Sequence, residues 1–575
     1  MKKILLMLAL LVPLTLSAGP REYIWPKKKM PHPSDAQIAA MTDEAAQPGF
    51  KPARYRRPYI EWYDAPANPN GACMILISGG AYESCCDVEP VAMWAQKLTA
   101  EGVQCVKLVY RTPRPAGLAY YQTAWEDGQR AVRKVRSEAA KRGFDPERIG
   151  TVSMSAGSHL SVLLATSSQT PAYQKVDALD ELPCHINWAI LHAPAYVTTD
   201  GLGAPAAREG YGPDVKLDTI FHFDAKTCPM SLHHGGLDEY SPNGSTLIYR
   251  ELRKRGIPAE LHLYPNVGHA VLGFERGIEF MRQMGFLGEL DHPVPIMDRY
   301  ASDEDRAEYI KEDLWPEGAM PDAQEHQCKP YIEWHIPKVR STDAIQIIYS
   351  GGSYEGNGPD GFEVAPARRY LNSLGMTVVT MRYRTPRPHG LPKHITAWED
   401  LQRTIRLVRS EAPGRGLNPD AIGIMGSSAG GHLTLLGVTS SLHNAYLPQD
   451  SIDFLPCNVQ WGIGIYPAYA LTDGLEAPNS EGGNEDSAVL APEFSFDLKT
   501  APMLFVHGDA DDWAAMNSVK TWEKMRSMGI QSELHTLALR PHCFQVEASP
   551  GTGSFTWLDR LGDFLRRTGV HLRVP

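Results

Sequence analysis

The chain has 575 residues, 43% of them hydrophobic and 21% charged, and a formal net charge of −11. That length exceeds one ordinary domain and implies two or more cores, in a composition typical of soluble globular proteins. The acidic balance argues against a nucleic-acid partner, whose phosphates need a basic surface; the one basic run, Lys27 to Lys29, reads as a solvated patch.

At the N-terminus, Lys2 and Lys3 precede the apolar run "ILLMLALLVPLTLS" and the small residues Ser17, Ala18 and Gly19, the pattern of a secretory signal over residues 1–19. Pro13 interrupts that run and it is short for a membrane anchor. No cysteine follows it to mark a lipoprotein, and no later segment is apolar enough to span a bilayer. The expectation is an exported chain, periplasmic or secreted, with no membrane partner after cleavage.

Strands and helices then alternate. "CMILIS" (73–78) and "VQCVKLVY" (103–110) have the length and β-branched content of buried strands. "AWEDGQRAVRKVRSEAAKRG" (124–143) is an amphipathic helix with Trp125, Val132, Val135 and Ala139 on one stripe. "RIGTVSM" (148–154) is a short strand and "AGSHLSVLLATSS" (156–168) a helix; "PMSLHHG" (229–235), "STLIYRELRKRG" (245–256) and "AELHLYP" (259–265) continue as strand, helix, strand. Such alternation implies an α/β fold with a mainly parallel sheet covered on both faces.

The same text is then written again. "RPYIEW" returns as "KPYIEW" near Trp334, "SGGAYE" (78–83) as "SGGSYE" (350–355), and "YRTPRPAGL" (110–118) as "YRTPRPHGL" (383–391). "TAWED" and "VRSEA" recur at 396–400 and 408–412, and from Tyr110 onward the offset is 273. A repeat this long is a whole domain. We expect one domain over 20–296, a second over 314–575, and a polar linker over 297–313. The nine cysteines are an odd number; Cys184 and Cys457 sit in matching "LPC" triplets as plain buried thiols, and no spacing resembles a zinc site.

Acyl transfer by serine requires a base to take the hydroxyl proton and a carboxylate to orient that base. "GTVSMSAGSHL" (150–160) and "GIMGSSAGGHL" (423–433) each place a serine, Ser155 and Ser428, on a strand-to-helix turn between small residues, although Ser153 stands where the second copy has Gly426. Downstream, "HHGGLDEYSP" and "VHGDADDWAA" supply Asp238 and Asp511, and "YPNVGHAV" and "ALRPHCF" supply His269 and His542. Both copies space these residues 83 apart from Ser to Asp and 31 from Asp to His. Asp512 neighbours Asp511, but its counterpart is Glu239, so the shared aspartate takes the role. An oxyanion hole is expected from the backbone N–H of Ala156 and Ala429 together with the glycine turns, through Gly80 or Ala81 and Gly352 or Ser353. His159 and His432 read as structural, His234 and His507 as packing residues. Arg111, Arg114, Arg384 and Arg387 either anchor an acidic substrate group, cap a helix, or pair with Glu126 and Glu399. The chemistry needs no metal and no cofactor.

With those residues, each half resembles the carbohydrate acetyl-esterase branch of the α/β-hydrolases, the acetylxylan esterases and their relatives. The resemblance rests on "LWPEGAMPD" (314–322), the glycine turn ending in Tyr354, "RYRTPRP" (382–388), "AWEDLQRTIRLVRSEA" (397–412), "NPDAIGIMGSSAGGHL" (418–433) and the Asp511 and His542 segments. It implies two tandem α/β-hydrolase domains that remove acetyl or similar small acyl groups from a xylan-like plant polysaccharide or its oligosaccharides. Departures fall at Ser78 and Ser350, Ala81 and Ser353, Ala270 and Cys543, and Pro541. Feruloyl ester hydrolysis, peptide hydrolysis on the same triad, and a binding protein in which one or both domains have lost catalysis are the competing readings; for the first, Trp125 and Trp398 are more simply core residues than pocket walls.

Overall fold

The computed structural model describes residues 18–26, 29–32, 57–85, 90–115, 117–201, 215–288, 294–295, 302–358, 361, 364–472, 488–544, 547–548 and 557–573. Most of the expected leader, residues 1–17, lies outside them; Ala18 opens a strand, Ala18–Tyr23. The chain divides into two compact units, one of residues 1–190, 220–228 and 286–288, the other of 191–219, 229–285 and 289–575.

Among the described residues the first unit holds five whole strands of the large sheet, in the spatial order Ala18–Tyr23, Tyr59–Tyr63, Gln104–Val109, Cys73–Ile77, Ile149–Met154, and a further strand, Trp188–His192, is divided between the two units. The first two junctions are antiparallel, the next two parallel. Every residue of Cys73–Ile77 and Gln104–Val109 is buried, as continuous apolar runs in a two-sided sheet must be. Trp125, Val132, Val135 and Ala139 are all buried, but the helix expected over 124–143 runs Gln122–Ser137 and then breaks before Ala139–Arg142. At the break the Ser137 hydroxyl donates to the Lys134 carbonyl at 2.7 Å, a side-chain bond that competes with the helical ladder.

Among the described residues the second unit holds ten strands of the large sheet, in the order Met230–Gly235, Ala259–Tyr264, Glu533–Leu537, Met503–Gly508, Trp461–Ile465, Ile422–Ser427, Ile345–Tyr349, Thr377–Arg382, Tyr331–Pro337, Arg306–Asp313. Parallel pairing runs unbroken from 533–537 to 377–382. The edge strand Arg306–Asp313 lies within the stretch expected as linker; its polarity is that of a mostly exposed strand, paired antiparallel to Tyr331–Pro337. Gly423 permits close packing here: a Cβ on it would meet the Trp461 indole at 1.9 Å. Trp461, Ile463, Val506, Leu561 and Phe564 fill one core of this unit. Among the described residues no helix is long and apolar enough to cross a membrane.

Ala259–Tyr264 pairs antiparallel with Glu533–Leu537, its own counterpart in the repeat, with His262 opposite His535. The two rings meet at Nδ1, 2.9 Å apart. Self-pairing of equivalent strands is the arrangement of an isologous interface, written here within one chain. Each histidine rests on a buried glutamate, Glu260 at 3.0 Å and Glu533 at 2.7 Å. Burial alone would raise the Glu260 pKa; the Arg276 guanidinium and His262 outweigh it and hold it near 2.

Arg276→Ala removes the cation that bonds Glu260 through Nε at 3.0 Å. A buried carboxylate losing its partner costs about 3–5 kcal/mol, so urea unfolding at pH 7 should shift by that amount; an unchanged midpoint would contradict the account. Because the folded-state pKa is depressed, the contribution of Glu260 is present above its ordinary value and fades as pH falls from about 4.5 towards about 2.

Candidate active site

Strand Ile422–Ser427 turns directly into helix Ala429–Thr439, and Ser428 is the residue at the corner, with φ 54° and ψ −120°. A non-glycine residue with this φ is strained and persists only when its surroundings fix it. Its backbone N–H donates to the Ile465 carbonyl at 2.9 Å, and its carbonyl accepts from His432 at 3.1 Å. The glycine turn presses against it: a Cβ on Gly351 would lie 2.6 Å from the Ser428 Cβ. Gly352 follows at φ 101°, then Ser353 at 55° and Tyr354 at 61°. Arg387 braces this turn, donating through Nε to the Ser353 carbonyl at 2.9 Å and pairing with Glu355 at 3.1 Å. Ala429 is the first residue of a helix, where free N–H groups and the helix dipole favour negative charge.

Around that corner stand the other two expected residues. His542 Nε2 lies 2.8 Å from Ser428 Oγ, and its Nδ1 lies 2.8 and 3.0 Å from the two oxygens of Asp511. Asp511, not Asp512, makes the contact, from the end of strand Met503–Gly508. Burial would raise the Asp511 pKa, but His507 and His542 more than reverse it, so the carboxylate stays ionised. Burial would likewise lower His542; its bonds to Asp511 and to the Cys543 side chain carry it up to about 9. A hydroxyl bonded to an imidazole that is itself held by an ionised carboxylate is the arrangement of an activated serine nucleophile.

The first copy repeats the parts. Ser155 stands at φ 58° and ψ −125° between strand Ile149–Met154 and helix Ala156–Thr166, which Ala156 opens. A Cβ on Gly79 would come within 2.7 Å of the Ser155 Cβ, and Gly80, Ala81 and Tyr82 follow at φ 128°, 54° and 61°. Ser153 is no obstacle of backbone conformation, because neither it nor Gly426 has a positive φ. At Gly426 an added Cβ would meet the Gly430 carbonyl oxygen at 2.3 Å and the ring of Tyr349 at 2.6 Å. The first copy has Ile77 at that place, and the Ser153 hydroxyl is buried 3.2 Å from the Ser158 hydroxyl. In the second compact unit, His269 Nδ1 lies 2.8 and 3.0 Å from the oxygens of Asp238. Burial is again outweighed by histidines, His234 and His269, and Asp238 stays ionised.

Two residues read as packing prove to touch the acid. His234 and His507 place Nε2 3.1 Å from Asp238 and Asp511, while Nδ1 lies 2.8 Å from the hydroxyls of Ser245 and Ser518. The signal was present as His-Gly-x-x-Asp in both copies, a spacing that reaches from strand end to the following turn. Arg111 and Arg384 are buried ion-pair partners, bonded to Asp127 and Glu126 and to Asp400 and Glu399, and so are occupied within the fold. Cys184 and Cys457 are buried free thiols, and the described cysteines form no disulfide.

Comparison with known proteins places the chain. The BD-FAE family profile matches residues 63–187 and 333–525, more than half of its length. Endo-1,4-beta-xylanase B of Butyrivibrio fibrisolvens is 25% identical over 35% of this chain and 32% of that protein. An acetylxylan esterase of Xylanibacter ruminicola is 23% identical over 38% of this chain and 45% of its own length. The match thus spans less than half of either relative. Among solved structures, an acetyl ester-xyloside bifunctional hydrolase from Caldicellulosiruptor lactoaceticus aligns with 45% of this chain and 96% of its own, at 22% identity and a TM-score of 0.37.

A base with a pKa near 9 is half neutral only at that pH, so turnover of a simple aryl ester by Ser155→Ala, in which Ser428 alone remains, should rise with pH to a midpoint close to 9. Adding Cys543→Ala removes one of the interactions that raise His542 and should move this midpoint to lower pH. A kcat/KM profile unmoved by the substitution would contradict the assigned cause.

Proposed function

The chain belongs to the BD-FAE family, and from that premise we propose that it is an exported tandem serine esterase acting on acylated, xylan-like plant polysaccharide or its oligosaccharides. The observation that carries the reading is the unbroken contact from Ser428 through His542 to Asp511. Ser428 Oγ attacks the ester carbonyl as His542 Nε2 takes its proton, and Asp511 steadies the imidazolium. Charge developing on the carbonyl oxygen is met by the N–H of Ala429 and of the glycine turn at Gly352 or Ser353, each such donor worth roughly two to three orders of magnitude in rate. Collapse expels the sugar hydroxyl, which regains the proton from His542. Water, activated by the same imidazole, then releases the acyl group as a carboxylate. Ser155, His269 and Asp238, with Ala156 and Gly80 or Ala81, take the same roles in the first copy. Two sites on one chain raise the effective concentration of the second on a polymer already held by the first.

Acetate is the acyl group of this reading, supported by the one relative named an acetylxylan esterase. A bulkier aromatic acyl group such as ferulate is the second reading, favoured by a row of rings leading to the base: Tyr354 stacks on Tyr469 at 6.2 Å, Tyr469 meets Trp513 at 4.9 Å, and Trp513 stands 6.2 Å from His542.

The test is release of acetate from acetylated xylan, and of ferulate from feruloylated xylan, by the parent, Ser155→Ala, Ser428→Ala and the double variant. Each single variant should retain part of the acetate release and the double variant none. Loss of all activity in Ser428→Ala alone would reduce the first copy to a binding module. No acetate from the parent would remove the acetyl reading, and ferulate release would replace it.

A further inference from the structure

His432 stands one helical turn beyond Ser428 and is wholly buried. Its Nδ1 lies 2.7 Å from the Tyr354 hydroxyl, and its Nε2 lies 3.1 Å from Glu493 Oε1. His394, at the start of helix Ile395–Glu411, brings a second imidazole to the same spot, with ring centres 5.3 Å apart. One donor atom from each of His394, His432 and Glu493 lies within 4.8 Å of the others.

The repeat supplies an internal control. The residues at the corresponding positions of the first copy are Tyr121, His159 and Ile220. The correspondence holds in the backbone as well as in the numbering, since Ser167 Oγ bonds the Ile220 carbonyl as Ser440 Oγ bonds that of Glu493. His159 is likewise buried and bonded to a tyrosine, Tyr82, at 2.8 Å. The second copy therefore differs by two exchanges, tyrosine to histidine and isoleucine to glutamate, on separate segments that meet at one shared imidazole. Each exchange replaces a group outside the usual zinc donor set with one inside it.

We propose that His394, His432 and Glu493 form a divalent transition-cation site, of the zinc class, that the second copy has and the first lacks. Two imidazoles and one carboxylate are a recurrent zinc donor set, and three protein ligands leave a coordination position open for water or a substrate oxygen. Tyr354 is placed to complete it. With the metal on Nε2, the proton of His432 sits on Nδ1 and is donated to the Tyr354 oxygen, which fixes the tautomer and the ring. Tyr354 directly follows Ser353, so the ion would adjoin the glycine turn that faces Ser428. The serine chemistry proceeds without it, and the site stands independently of the esterase reading.

The experiment is equilibrium dialysis of the full chain, stripped with a chelator, against Zn2+, with bound metal counted by atomic emission. The variants are His394→Tyr and Glu493→Ile, which install residues the fold already carries at the equivalent places, and Ser428→Ala as a comparison. The parent and Ser428→Ala should each retain one more equivalent than either of the other two. Anomalous scattering at the zinc edge from crystals of the parent should place a peak among the three side chains. Equal stoichiometry in the parent and both ligand variants, or no peak at that position, would overturn the proposal and leave the trio as a hydrogen-bonded cluster.

Discussion

Everything chemical in this molecule depends on a backbone that makes an abrupt corner between a buried strand and a buried helix. Ser428 and Ser155 occupy that corner at φ 54° and 58°. A non-glycine residue held there costs about 1–3 kcal/mol, and the sheet packing around it must supply that. The corner is held by the apolar strand before it, by a helix with every residue buried after it, and by Gly351 or Gly79 pressed against the serine Cβ. In the second copy the hydroxyl thereby meets His542 Nε2 at 2.8 Å. The run of positive φ from Gly352 to Tyr354 extends the same device, shaping the facing wall with main chain where side chains would not fit.

The second constraint is the way the acid is held. Asp511 is buried, yet two histidines and the Trp513 N–H, at 2.7 Å, keep it ionised. A carboxylate in this setting orients the imidazole and favours its charged form, which is what a general base must adopt in the transition state. His507 and His234 belong to this assembly as residues that position the acid rather than touch substrate. At the strand pair Ala259–Tyr264 and Glu533–Leu537 the chain uses the same grammar for stability: an ionised, buried glutamate beside a histidine, compensated by an arginine. The pairing of a strand with its own counterpart also removes an open sheet edge.

Much of this was legible in the residues. Continuous apolar runs such as "CMILIS" announced buried parallel strands, and the doubled spacing of serine, aspartate and histidine singled out Ser428, Asp511 and His542 before any geometry was known. What escaped were features that periodicity does not encode. The polar stretch 306–313 looks like a connection because an exposed edge strand is polar too. The pairing of Ala259–Tyr264 with Glu533–Leu537 joins strands 273 residues apart, and no local signal reports it. For His507 the His-Gly-x-x-Asp spacing was the one cue to its contact with Asp511, because burial at a strand end is the same whether a histidine only packs or also touches a carboxylate. Ser153 carries a side chain where a Cβ on Gly426 would meet the Gly430 carbonyl and the Tyr349 ring, and only the packing shows where its hydroxyl goes, 3.2 Å from that of Ser158.

The central claim is that the duplicated chain carries two activated serines. The most direct measurement is intact-mass analysis of the parent after exhaustive treatment with a fluorophosphonate, followed by peptide mapping. The account predicts two adducts per chain, one on Ser155 and one on Ser428. A single adduct confined to Ser428, or none, would contradict it.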